Sequence, residues 1–228
     1  ELGPASYKVT KQTAGGRGVY SFCMCPGGSV VNSSSEPNAL VVNGMSEYAR
    51  DRENANSAIL VQVNPKDIGS DIMAGIQFQQ DLEYKAYQIG KGYFAPVQRL
   101  SDFLQRQASV SIGKLKPTIL PGYILCDLHT ILPSFVSEAL SEAFVQFDHQ
   151  LSGFLHEDAI LTGVETRSSS PLRILRSSDT LTSPTLSNLY PCAEGAGYAG
   201  GIVSAAIDGL RCSEKVIERF QCDGFKSL

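Results

Sequence analysis

The segment Glu194-Gly195-Ala196-Gly197-Tyr198-Ala199-Gly200-Gly201 constrains this chain more than any other. Gly195 to Gly200 reads G-x-G-x-x-G, after a short apolar stretch and before a helical pattern, the context a dinucleotide-binding turn requires. Glycines let backbone approach a ligand, and a helix start offers N–H groups and the positive end of a dipole. A complete β-α-β nucleotide unit also needs a second strand ending in an acid about 20 residues on. Here the helical pattern fills that distance, carrying Glu214 and Glu218, and little sequence follows it. The turn is therefore not read as the phosphate loop of a whole nucleotide-binding unit. Gly15-Gly16-Arg17-Gly18 has neither the spacing nor a following helix.

Composition narrows the partners. With 228 residues, 43% hydrophobic, the chain can bury a core without a disulfide or metal staple. The net charge is −4, with no clustered cations, which predicts no nucleic-acid partner and no acidic membrane surface. No run approaches the ~18 apolar residues of a membrane helix. The chain opens at Glu1 with no signal-peptide pattern, and any targeting segment would lie outside it. Six cysteines in a domain of this size read as reduced thiols, pointing to the cytoplasm or an organelle interior. Cys23-x-Cys25 has no matching second pair, and His129, His149 and His156 form no ligand spacing, so no structural metal is expected.

The pattern along the chain is β-rich, then helical, then β-rich again. Strands are expected at 19–25, 29–31, 39–42 and 58–63, with Pro26-Gly27-Gly28 and Asn43-Gly44 as turns. Helices are expected over 71–89, from Pro96 with Val97, Leu100 and Leu104 inward, and from Pro133 with Val136, Leu140, Phe144, Phe147 and Leu151 inward. Strands are again expected at 159–166, 172–175 and 189–192, with 177–187 as a surface loop. A last helix over 202–220 would turn Ile202, Ala206, Leu210, Val216 or Ile217, and Phe220 inward, leaving Asp208, Arg211, Glu214, Lys215 and Glu218 wet.

A second arrangement suits the glycine turn. An acid closing the last strand, Glu194, stands directly before the glycines and the last helix. Many two-domain flavoproteins end this way: the carboxylate accepts from a ribityl hydroxyl, and the helix start near Gly200, Gly201 and Ile202 faces the pyrophosphate. Spacing alone leaves a second reading open, a tight connection that binds nothing.

Residues 189–206 (LYPCAEGAGYAGGIVSAA) are similar to the C-terminal motif of the uncharacterised FAD-dependent dehydrogenases, relatives of NAD(P)/FAD-dependent oxidoreductases with an inserted substrate domain. Three further segments resemble that family in order: YSFCMCPGG at 20–28; NGMS at 43–46 with Arg50-Asp51 and NANSA at 54–58; and GVETRSSSP at 163–171. One departure is Ala193, where the family usually has Gly.

The resemblance implies an α/β fold with an α+β insert: a β-rich and helical substrate domain at 1–157, then at 158–228 the C-terminal strands and helix of a Rossmann-like FAD-binding domain. It implies FAD as cofactor, weakly bound or absent in this chain, because the family's N-terminal FAD-binding half precedes these motifs. The cofactor-binding candidates are Glu194, Gly195, Gly197, Tyr198, Gly200, Gly201 and Ile202. Pocket candidates for a small-molecule substrate are Cys25, Gly27, Gly28 and Arg167, with catalytic residues unassigned. Cys25 could present a thiol to a ligand or sit inert at a strand end. Arg167 could clamp an anion or serve the Ser168–Ser170 turn. Tyr198 could stack on the cofactor or cover the helix start.

The expected function is that of the C-terminal part of a flavin-dependent oxidoreductase, active when joined to its N-terminal half. The alternatives are a non-catalytic partner-binding domain and an RNA-modifying flavoprotein fragment, the last opposed by the acidic balance. Without its partner half the chain should expose apolar area around 159–175 and 189–210.

Overall fold

The computed structural model describes residues 8–221, which cluster into two compact units. Within that span the first unit takes residues up to 69 together with 77–166, and the second takes 70–76 with residues from 167 onward.

The first unit is built on a long strand. β1 (Thr10–Gln12), β3 (Val42–Ser46) and β4 (Asn54–Val61) all pair antiparallel with β2 (Gly18–Asn32). Tyr20 faces Thr10 on one side and Leu60 on the other, and Gly28 faces Ser46 and Asn54. β1 and β3 therefore share one edge of β2, and β4 runs along the other. Both expected turns, Pro26-Gly27-Gly28 and Asn43-Gly44, lie inside strands. Asn43 and Gly44 pair with Val31 and Val30 in unbroken register, while bulges absorb the first turn, the β2–β4 register shifting between Phe22 and Cys25 and again between Cys25 and Gly28. Cys23 (φ 48°) and Gly27 (φ 52°) take left-handed backbone there, as bulged positions do.

After the short α1 (Pro65–Ile68), α2 (Ala74–Ile89) begins three residues later than expected, with the Asp71 carboxylate accepting from Met73 N–H at 2.7 Å. Residues 95–99 overturn the expected helix at Pro96: they form β5 (Ala95–Arg99), and only α3 (Leu100–Leu104) is helical. β5 is the middle strand of a second sheet, parallel to β6 (Tyr123–Leu125) and antiparallel to β7 (Ile160–Thr162). Its first four residues are buried, so the apolar run marks a covered strand, and Pro96 still accepts from Gly163 N–H at 2.9 Å. β7 is shorter than the expected strand at 159–166 and belongs to the first unit.

α4 (Ser134–Gln150) starts after Pro133 as expected and buries Ala139, Leu140, Ala143, Phe144 and Phe147 along one face, while Leu151 is exposed. Phe144 meets Phe103, Phe147 and Phe154 at ring separations of 6.1–6.4 Å. Each buried phenylalanine contributes about 2–3 kcal/mol. Phe103, Phe144 and Phe147 join Val19, Leu40, Val42, Leu100, Leu128 and Ile131 in one core.

The second unit has a different construction. The expected strands at 172–175 and 189–192 are not formed; residues 167–201 contain no helix or strand. Isolated pairings hold this segment instead, such as Ile174 N–H to Ala196 O at 3.1 Å and Ser183 N–H to Leu189 O at 2.8 Å. A strand needs a ladder along its length, and these segments find only single partners. α5 (Ile202–Phe220) has the expected limits but the opposite orientation. Its buried residues are Asp208 and Cys212, while Ile202, Val203, Ile207, Leu210, Ile217 and Phe220 are exposed. An ion pair, described below, draws Asp208 inward. Ile174, Leu175 and Leu189 are exposed as well. Apolar area thus lies open within both stretches where it was expected. Among the described residues no helix is long and apolar enough to cross a membrane.

Candidate functional site

The glycine corner is a tight turn. Glu194 O accepts from Gly197 N–H and Ala193 O from Tyr198 N–H, both at 2.9 Å. Ala193 is left-handed at φ 59°, a conformation glycine takes freely and alanine at a cost of about 1–2 kcal/mol.

The corner's glycines divide by role. Gly197 has φ 81°, and a Cβ there would stand 2.5 Å from Leu172 O, so the fold itself requires glycine. At Gly195 and Gly200 a Cβ would meet nothing within 4 Å, and at Gly201 only Ser204 Oγ at 3.7 Å. None of these three has positive φ. Neither crowding nor left-handed backbone requires glycine at Gly195 or Gly200, and Gly201 is the N-cap of α5.

Gly197 to Gly200 form one side of an open depression of about 260 Å³, with Ser169, Ser170 and Arg173 on the other. Arg173 Nε donates to Gly197 O at 3.0 Å, and its guanidinium lies 4.9 Å from the Tyr198 ring centre. Tyr198 is pinned: its hydroxyl donates to Ile174 O at 3.0 Å, and Arg176 lies 3.7 Å from the ring centre. Beside the depression, α5 begins at Ile202, whose N–H, like that of Val203, has no acceptor within the helix. Ser204 Oγ accepts from Gly201 N–H at 3.2 Å. The carboxylate-bearing Glu194 is exposed at the turn's edge.

A buried ion pair sets the corner on α5. Arg176 grips both Asp208 oxygens, at 2.9 and 2.7 Å, and donates to Pro191 O at 2.8 Å. Asp208 Oδ2 also accepts from Ala193 N–H at 2.8 Å. The guanidinium first, with the Ala193 amide assisting against burial, holds the Asp208 carboxyl down at about 2. The sequence pattern placed Asp208 on the wet face because an isolated helical aspartate reads as solvated; its partner lies 32 residues away. Cys192 and Cys212 approach the same carboxylate, all three ligand atoms lying within 4.8 Å.

The first unit collects the other candidate segments. Cys25 faces Asn56 across the β2–β4 ladder, and Gly28 lies between Ser46 of β3 and Asn54 of β4. Val42, at the head of β3, donates to Val164 O at 2.9 Å. Strand pairing thus brings together the stretches 20–28, 43–46 and 54–58, and the Val42–Val164 hydrogen bond sets 163–166 beside the head of β3. Gly27 and Gly28 are packing glycines: a Cβ would stand 2.0 Å from Arg50 O and 2.1 Å from Met45 O. The Cys25 thiol donates to Cys23 O at 3.2 Å. Nearby, the buried amide oxygens Asn54 Oδ1 and Asn56 Oδ1 have no hydrogen-bond partner. Arg167 belongs to the second unit, is exposed, and is already engaged by neighbouring groups.

Two acids escaped the sequence reading. Burial raises the Glu165 carboxyl to about 7, into the range where it exchanges protons near neutrality. Glu83 is fully buried and accepts from Thr166 Oγ1 at 2.6 Å. No spacing marked either, since one lies in a loop and the other within an ordinary helical pattern.

Residues 1–168 match the model of the family described as FAD-dependent protein, C-terminal domain-like. The chain belongs to this family. The match ends before the glycine corner and covers all of the first unit. The chain is also 48% identical over 223 residues to an uncharacterised protein of Clostridium beijerinckii. That alignment covers 96% of this chain and 42% of the relative, so the chain spans under half the length of the relative it matches. Membership in a family of FAD-dependent proteins associates the chain with flavin chemistry.

Proposed function

We propose that this chain is the C-terminal part of an FAD-dependent oxidoreductase of the dehydrogenase type: a substrate domain followed by a corner that holds one portion of the cofactor. The observation that carries this reading is the pair Gly195 and Gly200, where a Cβ would meet nothing within 4 Å and φ is not positive, beside Gly201 at the start of α5. These residues fit a flavin dinucleotide. Glu194 would accept from a ribityl hydroxyl, the N–H groups of Ile202 and Val203 would face a phosphate or the pyrimidine edge, and Arg173 would add positive charge beside the depression. When bound, FAD supplies the hydride-accepting chemistry that no side chain can.

Gly197, Tyr198 and the Arg176–Asp208 pair support the cradle without needing contact with a ligand. The remaining length of the longer protein would supply the family's other cofactor-binding half and cover the apolar face of α5. This chain by itself therefore holds FAD weakly.

A flavin titration tests the reading. The purified 228-residue chain should carry no stoichiometric flavin, and added FAD should quench weakly and saturably, with affinity falling at least tenfold in Glu194→Ala. A yellow chain with one tightly bound flavin, or an affinity indifferent to Glu194→Ala, overturns it.

A second reading, a non-catalytic partner-binding domain, draws on the exposed α5 face. It predicts no flavin response at any FAD concentration and a stable complex with a protein partner.

A further inference from the structure

Cys192 and Cys212 lie behind the glycine corner, one immediately before the left-handed Ala193 and the other midway along α5. Their sulfurs lie within 4.8 Å of each other, and the Cys192 thiol interacts with both Cys212 and Asp208. With Asp208 they have the outline of a three-ligand cation site. The surroundings exclude that use. Both Asp208 oxygens are held by Arg176, one also by Ala193 N–H, and Arg176 Nη1 stands 3.5 Å from Cys212 Sγ. A guanidinium in that position occupies the carboxylate and repels a second cation. What remains is a pair of thiols in mutual contact, Cys212 buried and Cys192 half-buried.

We propose that Cys192 and Cys212 are a redox-active dithiol, a site of reversible disulfide formation by exchange with low-molecular-weight disulfides. Cys192, the more accessible sulfur, gives up its proton and attacks the small disulfide, forming a mixed disulfide and releasing one small thiolate. Cys212 then attacks the Cys192 sulfur, closing the Cys192–Cys212 bond and releasing the second thiolate. The protein pair loses two electrons, the small disulfide gains them, and the two thiol protons leave on the two released thiols. Closing the bond brings two sulfurs that lie within 4.8 Å of each other to about 2 Å. The product ties the start of the glycine turn to α5 covalently and leaves the Arg176–Asp208 pair in place. It forms whether or not the corner binds flavin, so its test is independent of the proposed function. Partial burial first, then the neighbouring Cys212 and Asp208, raise the Cys192 thiol to about 11 and make the exchange slow near neutral pH, so the equilibrium product is the quantity to read.

The test equilibrates the folded 228-residue chain with mixtures of oxidised and reduced glutathione, alkylates remaining thiols, and maps the peptides by mass spectrometry. The expected product is a Cys192–Cys212 cross-link with no glutathione retained on either residue, and slower hydrogen exchange over 193–201. In Cys212→Ser, glutathione should stay on Cys192. Should that variant fail to fold, the cross-link in the unsubstituted chain, formed in buffer and scrambled in urea, carries the same information. Alkylation of both cysteines at ratios that oxidise Cys23 or Cys25 overturns the proposal, as does a stable glutathione adduct on Cys192 in the unsubstituted chain.

Discussion

Replacing Asp208 by alanine tests the structural element beneath the glycine corner. The carboxylate is buried, its partner Arg176 keeps only 9% of its side chain exposed, and two of their hydrogen bonds run to Pro191 O and Ala193 N–H. Removing one member of a buried pair costs about 3–5 kcal/mol, because the other charge is left without compensation. Here Arg176 retains Pro191 O and the Tyr198 ring, which offsets part of that loss. The carboxyl's descent from 3.8 to about 2 gives a second measure, about 2 kcal/mol. Together they set the expected loss for Asp208→Ala at about 2–3 kcal/mol, a shift in urea midpoint on the order of 1 M. Far-UV circular dichroism reports the transition, with hydrogen exchange over α5 and 193–201 to localise it.

Asp208→Asn keeps the shape and removes the charge. Because the folded-state value is depressed, its penalty relative to the unsubstituted chain should be full above about pH 4 and shrink as the pH falls toward 2. Midpoints for both variants within about 0.5 kcal/mol of the unsubstituted chain would refute the reasoning.

Ala193→Gly relieves the left-handed alanine and, after the added chain entropy, should stabilise the second unit by about 0.5–1 kcal/mol in urea unfolding. Glu165 has a raised folded-state value, so it favours the fold at low pH, and that contribution fades as pH rises from about 4.5 through 7. Allowing for its partial exposure the loss is about 2 kcal/mol, and Glu165→Gln should flatten the stability profile across that window. Gly28→Ala drives a Cβ to 2.1 Å from Met45 O, backbone that cannot step aside, and should cost more than about 2 kcal/mol of first-unit stability.

What the sequence disclosed follows from locality. The limits of α5 and the start of α4 were legible because helices carry their signals in neighbouring residues: Gly201 before one, Pro133 before the other. Tertiary partners decided the rest. Pro96 reads as a helix opener until β6 and β7 are known to flank it. Pro26-Gly27-Gly28 reads as a turn until Arg50 and Met45 are found pressed against those glycines. Asp208 reads as solvated until Arg176 arrives, and its burial turns the apolar residues of α5 outward. At the candidate site, the glycine pattern and Glu194 were visible in order along the chain. Arg173 and the division of the glycines into packing and open positions required coordinates.

Hydrogen exchange of the chain with and without saturating FAD tests the central claim most directly. The account predicts that FAD slows exchange at residues 194–203, centred on Gly200, Gly201 and Ile202, and that Glu194→Ala abolishes the effect. Protection confined to other segments, with 194–203 exchanging at an unchanged rate, would contradict it.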